Sequence, residues 1–181
     1  MIKFYDLLDK YRDTVANDSK KARRYIQQLD YRDNPYLLNC IAQTYLDEAR
    51  FEDNSDQIRD TINFRKWRMA EKYVIEAFKL NSNHAEILYT MGEIRKLNFQ
   101  DEIAIYCFEK IIGLGVKKIE KQEYSRGRDF AKELINDSKF ELYRLHFITN
   151  QKLANKYLRQ YQQGIKLGID SIYIPLEKFL L

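Results

Sequence analysis

Proline and glycine are scarce in this chain, with 2 Pro and 6 Gly among 181 residues. Helix breakers are therefore rare, and no low-complexity or Pro/Gly-rich stretch marks a linker, which points to one folded unit with a sizeable core. Cysteine is nearly absent as well. Cys40 and Cys107 stand alone on predicted helix faces among apolar neighbours, and such isolated thiols suit core positions in a reducing compartment better than a disulfide framework. The two histidines, His84 and His146, have no partner at ligand spacing, so no metal site is expected. No apolar run of about 18 residues occurs, and Met1 to Asp6 lacks a basic region followed by an apolar one. Neither a membrane span nor a leader is expected, and a cytoplasmic location is.

The signatures of catalysis are missing too: there is no phosphate-cradling glycine loop, nucleophile elbow or zinc-binding helix motif. Gly113-Leu114-Gly115 follows a predicted helix and lacks the third glycine of a dinucleotide fingerprint. Acid pairs such as Asp101 with Glu102, and Asp56 with Asp60, read as helix N-terminal charges, not acid–base dyads. No catalytic residue and no cofactor are expected.

An excess of one charge sign is also lacking, since 31 basic and 27 acidic residues leave a net charge of +4. It divides as +2 over 1–34, −1 over 35–84, 0 over 85–118 and +3 over 119–181. The basic groupings Lys20, Lys21, Arg23, Arg24 and Lys117, Lys118, Lys121, Arg126, Arg128 are interleaved with acids or lie at helix ends. Nucleic-acid binding draws its affinity from concentrated phosphate neutralisation, so it is not expected here.

What the chain does contain is apolar periodicity at three and four residues. Phe4, Leu7, Leu8, Tyr11 and Val15 make one face of a helix over about 2–16. Asn17, Asp18 and Ser19 supply cap chemistry for a second, with Ala22, Tyr25, Ile26 and Leu29 on its stripe. Asp33-Asn34-Pro35 then ends one unit and starts the next. Leu38, Ile41, Ala42 and Tyr45 follow, and Ala70, Val74 and Ala77 mark the return helix. Leu88, Met91 and Gly92, then Ala104 and Phe108, give a third pair whose second helix opens at Gln100-Asp101-Glu102 and ends at Gly113 and Gly115. Phe4, Tyr11, Tyr45, Trp67, Phe78, Phe108 and Phe130 fall on these stripes, which spends aromatic rings on the core instead of on nucleobase stacking.

The spacing of Leu88, Met91, Gly92, Ala104 and Phe108 resembles a tetratricopeptide repeat, a helix pair of about 34 residues, with Arg95 in a place where that family has tyrosine. Leu80 to Glu86 resembles its inter-repeat linker, with Ser82 near the usual proline. The resemblance spans about 1–116. Its fold class is then all-α: a short tetratricopeptide-like superhelix, a solenoid of helical hairpins, with units at 1–34, 35–84 and 85–118. Divergent helices at 119–167 and an apolar capping tail at 168–181 complete a single helical-repeat domain.

The second unit is about 16 residues longer than the family's repeat. The spacing of Ile58, Ile62, Trp67 and Met69 predicts an elongated hairpin turning near Asp53-Asn54-Ser55, the alternative being an acidic surface loop over 46–66. Downstream, Ile119, Tyr124, Phe130, Ala131, Leu134 and Ile135 predict a helix over about 118–136 that contains Gly127. Phe140, Tyr143, Leu145 and Phe147 predict another, and Leu153, Ala154, Tyr157, Leu158 and Tyr161 a last long one.

In that family the first helices line a concave groove. The resemblance implies groove contacts at Tyr5, Asp9 and Arg12; at Tyr36, Asn39, Gln43 and Asp47; and at Tyr89, Glu93 and Lys96. Aromatic platforms mixed with polar groups suit a peptide held by stacking and directional hydrogen bonds. Members that capture acidic chaperone tails use Lys, Asn and Arg where this chain has Asn39, Gln43, Glu86 and Thr90, so that ligand is not expected. The function so implied is a non-enzymatic adaptor for a protein or peptide partner. The alternatives are a self-associating scaffold that forms a homo-oligomer and, on the basic clusters, a nucleic-acid-linked regulator.

Overall fold

The computed structural model describes residues 2–51 and 64–173, without side chains at Ile2, Lys3, Arg50, Phe51 and Phe64. The described residues are all helical or irregular, with no strand. They form two compact units, Met1–Asn83 and His84–Leu181.

In the first unit α1 (Ile2–Val15) packs on α2 (Ser19–Ile26), α2 on α3 (Pro35–Phe51), and α3 on α4 (Phe64–Leu80). Local chemistry starts these helices. Asp18 accepts the Lys21 amide at 2.8 Å, and the Asn34 side chain accepts from Tyr36 and Leu37 at 3.0 and 3.1 Å, with Pro35 as the first helical residue, which satisfies amides the helix itself cannot. Leu8, Ala22, Ile26, Leu38, Ile41, Ala42, Ala70, Val74 and Ala77 are buried. The turn expected near Asp53 lies outside the described residues.

Arg23 of the first basic grouping is not a surface charge. It is 7% exposed, pairs with Glu48 at 2.5 Å and lies 3.9 Å from the Tyr45 ring centroid, while Lys66 also pairs with Glu48. Tyr45 stacks on Tyr73 at 5.8 Å. This guanidinium is spent inside the unit, joining α2 to α3 by charge and ring contact.

In the second unit α5 (Ala85–Leu97) packs on α6 (Asp101–Leu114), and α8 (Arg128–His146) packs on α5, α6, the short α7 (Val116–Ile119) and α9 (Gln151–Lys166). The start of α5 is capped from a distance: the Ala85 amide donates to the Gln122 side chain at 2.9 Å, and His84 Nε2 donates to the Glu123 carbonyl at 3.1 Å. Burial lowers the pKa of His84, so the ring is a neutral structural donor. Gly92 lets α5 approach α6, because a Cβ there would lie 2.7 Å from Cζ of the fully buried Phe108. Cys40 and Cys107 are free and buried. Burial pushes the Cys107 thiol up to about 11, which keeps it protonated and inert.

The structure corrects the sequence reading between 116 and 147. Gly127 is not inside a helix. It holds φ +90°, a conformation L side chains avoid, and immediately precedes Arg128, so it is the turn that launches α8. From there α8 runs unbroken to His146, joining the two helices expected at 118–136 and 140–147. The apolar stripe misled because its middle is polar: Asn136, Asp137, Ser138 and Glu141 are buried, each 2% exposed or less.

Candidate functional site

Those polar residues on α8 define the most unusual region of the second unit. Asp137 and Glu141 lie one helical turn apart and so share a face. Glu141, with 0% exposure, accepts from Arg144 at 3.0 Å on its own helix and from Lys96 on α5. Lys96 also donates to Glu93 at 2.7 Å. Two carboxylates from different helices thus converge on one ammonium, which needs good geometry to offset desolvation.

A non-helical segment after α9 lies on the same face. The chain turns at Gly168, φ +77°, and the Ile169 amide donates back to the Gly164 carbonyl at 3.1 Å. Ser171 Oγ then donates to Asp137 Oδ1 at 2.6 Å, and the Ile172 amide to Asp137 Oδ2 at 3.3 Å. The Tyr173 hydroxyl donates to Glu141 Oε1 at 2.6 Å and lies 2.7 Å from the Tyr89 hydroxyl. Its ring sits 4.6 Å from Phe140, which is 4.8 Å from Tyr161. Ile172, between the two inward side chains, is 64% exposed, and the chain bends there, the Tyr173 amide donating back to Ser171 Oγ at 3.1 Å, a local serine turn.

Burial pushes the phenols of Tyr89 and Tyr173 far above their ordinary value, the nearby carboxylates adding to it. They act only as hydrogen-bonding groups. Asp137 is raised to about 6, chiefly by desolvation and further by Glu133 and Glu141, against the opposing hydrogen bonds from Ser171 and Ile172. Because the folded chain then holds this proton more tightly than the unfolded chain, the group's stabilising contribution is fully present below about pH 3.8 and is lost as pH rises through about 6. Tyr161, which also bonds Ser171, and Tyr89 and Tyr173 stay neutral across that range. Urea unfolding of wild type beside Asp137→Asn should therefore show the wild type losing stability relative to the variant between pH 4 and 6, by roughly 3 kcal/mol at most. A difference that stays flat or grows with pH refutes the assignment.

The ten residues singled out from the resemblance divide between the units. In the first, Tyr5 and Asp9 are exposed and Arg12 is half-buried, 3.5 Å from Asp9. Tyr36 and Asn39 are buried, at 3% and 0%, and Gln43 accepts from the Tyr11 hydroxyl at 3.3 Å. Asp47 is half-buried. Asn39 has neither side-chain atom hydrogen-bonded, a cost of about 1–3 kcal/mol in a dry setting. In the second unit Tyr89, Glu93 and Lys96 are brought together, but against Glu141 and Tyr173 instead of an open groove. The sequence reading missed Asp137, Glu141, Ser171 and Tyr173. The available signal was an acid pair four residues apart within the stripe Leu134, Asp137, Ser138, Glu141, Leu142.

Among the described residues no three His, Cys, Asp or Glu side chains are placed to hold a metal ion, and no described helix is long and apolar enough to cross a membrane. Comparison with protein-family models, with curated proteins and with solved structures finds no match.

Proposed function

We propose that this chain is a non-enzymatic adaptor, a short tetratricopeptide-like array of helical hairpins whose α5 and α8 faces hold a peptide from a partner protein. One observation carries the reading. A non-helical piece of chain, 171–173, bent by a serine turn, lies on that face and is held by side-chain hydrogen bonds from α5 and α8, with a ring slot beside Phe140. This is how peptide-binding modules work, with alternate side chains seated and the rest left to solvent. The helix pairing α5 with α6 and the fit of Gly92 to Phe108 support the scaffold half of the proposal. The groove is rich in carboxylates, so its partner is a donor-rich segment and not a phosphate backbone.

Panning a random peptide library against the full chain carrying Tyr173→Ala, which vacates the ring slot, should enrich a consensus. Peptides so selected should bind about tenfold more weakly when Tyr89→Phe is added, since one buried hydroxyl partner is lost. They should be indifferent to Lys152→Met on the exposed side of α9. No consensus, or one equally insensitive to both substitutions, overturns the proposal.

A further inference from the structure

Resting on that reading, we infer that residues 168–173 are an internal ligand, and that the partner peptide carries the same pattern: a serine or threonine followed, two positions on, by an unmodified tyrosine.

Specificity lies in what the face offers and what the segment supplies. Asp137 presents both carboxylate oxygens, one to a hydroxyl and the other to the next backbone amide. That pair of acceptors reads a residue with a short hydroxyl side chain, whose oxygen also accepts the amide two positions on and so sets the turn, and a proline after it would lack the amide. The slot for the second side chain is walled by Phe140 and ends on Glu141 and the Tyr89 hydroxyl. A phenylalanine would fill the slot and leave both polar groups without their partner, so the hydroxyl is specified as well as the ring. The middle side chain, Ile172, faces solvent and carries no specificity.

Charge sets a further condition. Glu93, Asp137 and Glu141 share this face, and Lys96 is already engaged by two of them. A phosphate on the tyrosine would bring about −2 against Glu93 and Glu141, whose cations among the described residues, Lys96 and Arg144, are already paired with those carboxylates, which disfavours it. The site accepts tyrosine and rejects phosphotyrosine. Phosphorylation of a partner would therefore release it. The chain's own segment, tethered at an effective concentration in the millimolar range, competes with any partner and makes the groove self-occluded until displaced.

The test uses the full chain and the blocked hexapeptide Gly-Ile-Asp-Ser-Ile-Tyr with a fluorescent label, read by polarisation. The peptide should bind the Tyr173→Ala chain, and bind wild type at least about tenfold more weakly because the internal copy competes. Adding Glu141→Gln to Tyr173→Ala should abolish binding, as should phosphotyrosine in the peptide. Replacing the peptide's tyrosine by phenylalanine should cost about tenfold. Equal affinity for wild type and variant, no binding to a folded variant, or undiminished binding of the phosphopeptide overturns the inference. If circular dichroism shows Tyr173→Ala to be unfolded, Tyr173→Phe weakens the internal copy by the same factor and should bind the peptide about tenfold more tightly than wild type does, equal affinity overturning the inference. Failure of the hexapeptide beside a successful panning removes the internal ligand alone, whereas failure of both removes the adaptor reading with it.

Discussion

Gly164→Ala is expected to destabilise the second unit by about 3 kcal/mol, although alanine is the better helix former by about 1 kcal/mol. Gly164 lies within α9 and faces α8, where a Cβ would come 2.2 Å from Oδ1 and 2.5 Å from Cγ of Asn136. Asn136 cannot step aside at low cost. It is fully buried, and its Nδ2 donates to the Tyr161 carbonyl at 3.2 Å, so moving it breaks that bond or drives α8 and α9 apart. That Oδ1 has no hydrogen-bond partner of its own, so a methyl group pressed against it gains nothing in return. Urea unfolding followed by far-UV circular dichroism measures the loss. Asn136→Ala combined with Gly164→Ala should recover part of it, giving a favourable coupling of at least about 1 kcal/mol. If the two single effects simply add, the steric account is wrong.

Glu141→Ala should be comparably severe, about 3 kcal/mol. The carboxylate is fully enclosed and takes hydrogens from Lys96, Arg144 and Tyr173. Removing one member of a buried charge group costs about 3–5 kcal/mol because its partners are left desolvated. Two facts place this site at the low end. Lys96 keeps Glu93, and the Arg144 side chain is 51% exposed and can turn to water. The penalty should change little with added salt, since buried pairs are weakly screened. Hydrogen exchange at Ile172 and Tyr173 should also accelerate, because the segment loses one of its two anchors on α8. A variant with near wild-type stability, or a penalty that vanishes in salt, would show that Glu141 is solvated in practice.

Much of the helical layout was legible in the residues. The periodic stripes of α1 to α6, the Asp18 and Asn34 caps, the opening at Gln100-Asp101 and the close packing at Gly92 all follow from residues a turn apart or from a missing side chain. The site was less legible. Tyr89, Glu93 and Lys96 stood out as one face of α5, yet nothing nearby announced Glu141 as their counterpart. The acids of α8 instead broke the apolar pattern and split one helix into two readings. Gly164 escaped notice for the same reason, since a glycine near the end of a polar helix carries no sign of the asparagine it must accommodate.

By itself, then, the sequence determined most of the helical stretches, where several of them start, and that Cys107, Phe108 and the stripe alanines Ala22, Ala42, Ala70, Ala77 and Ala104 lie inside, because helix formation and amphipathic burial depend on neighbours three or four positions away. The tertiary structure decided that Asp137 and Glu141 are buried acceptors with a hydroxyl, an amide, a phenol and an ammonium assigned to them. Those partners lie 32 to 45 residues distant along the chain. A carboxylate becomes a site only when folding removes its water and supplies specific donors in exchange, and that exchange is a property of surfaces brought together, which no local spacing encodes.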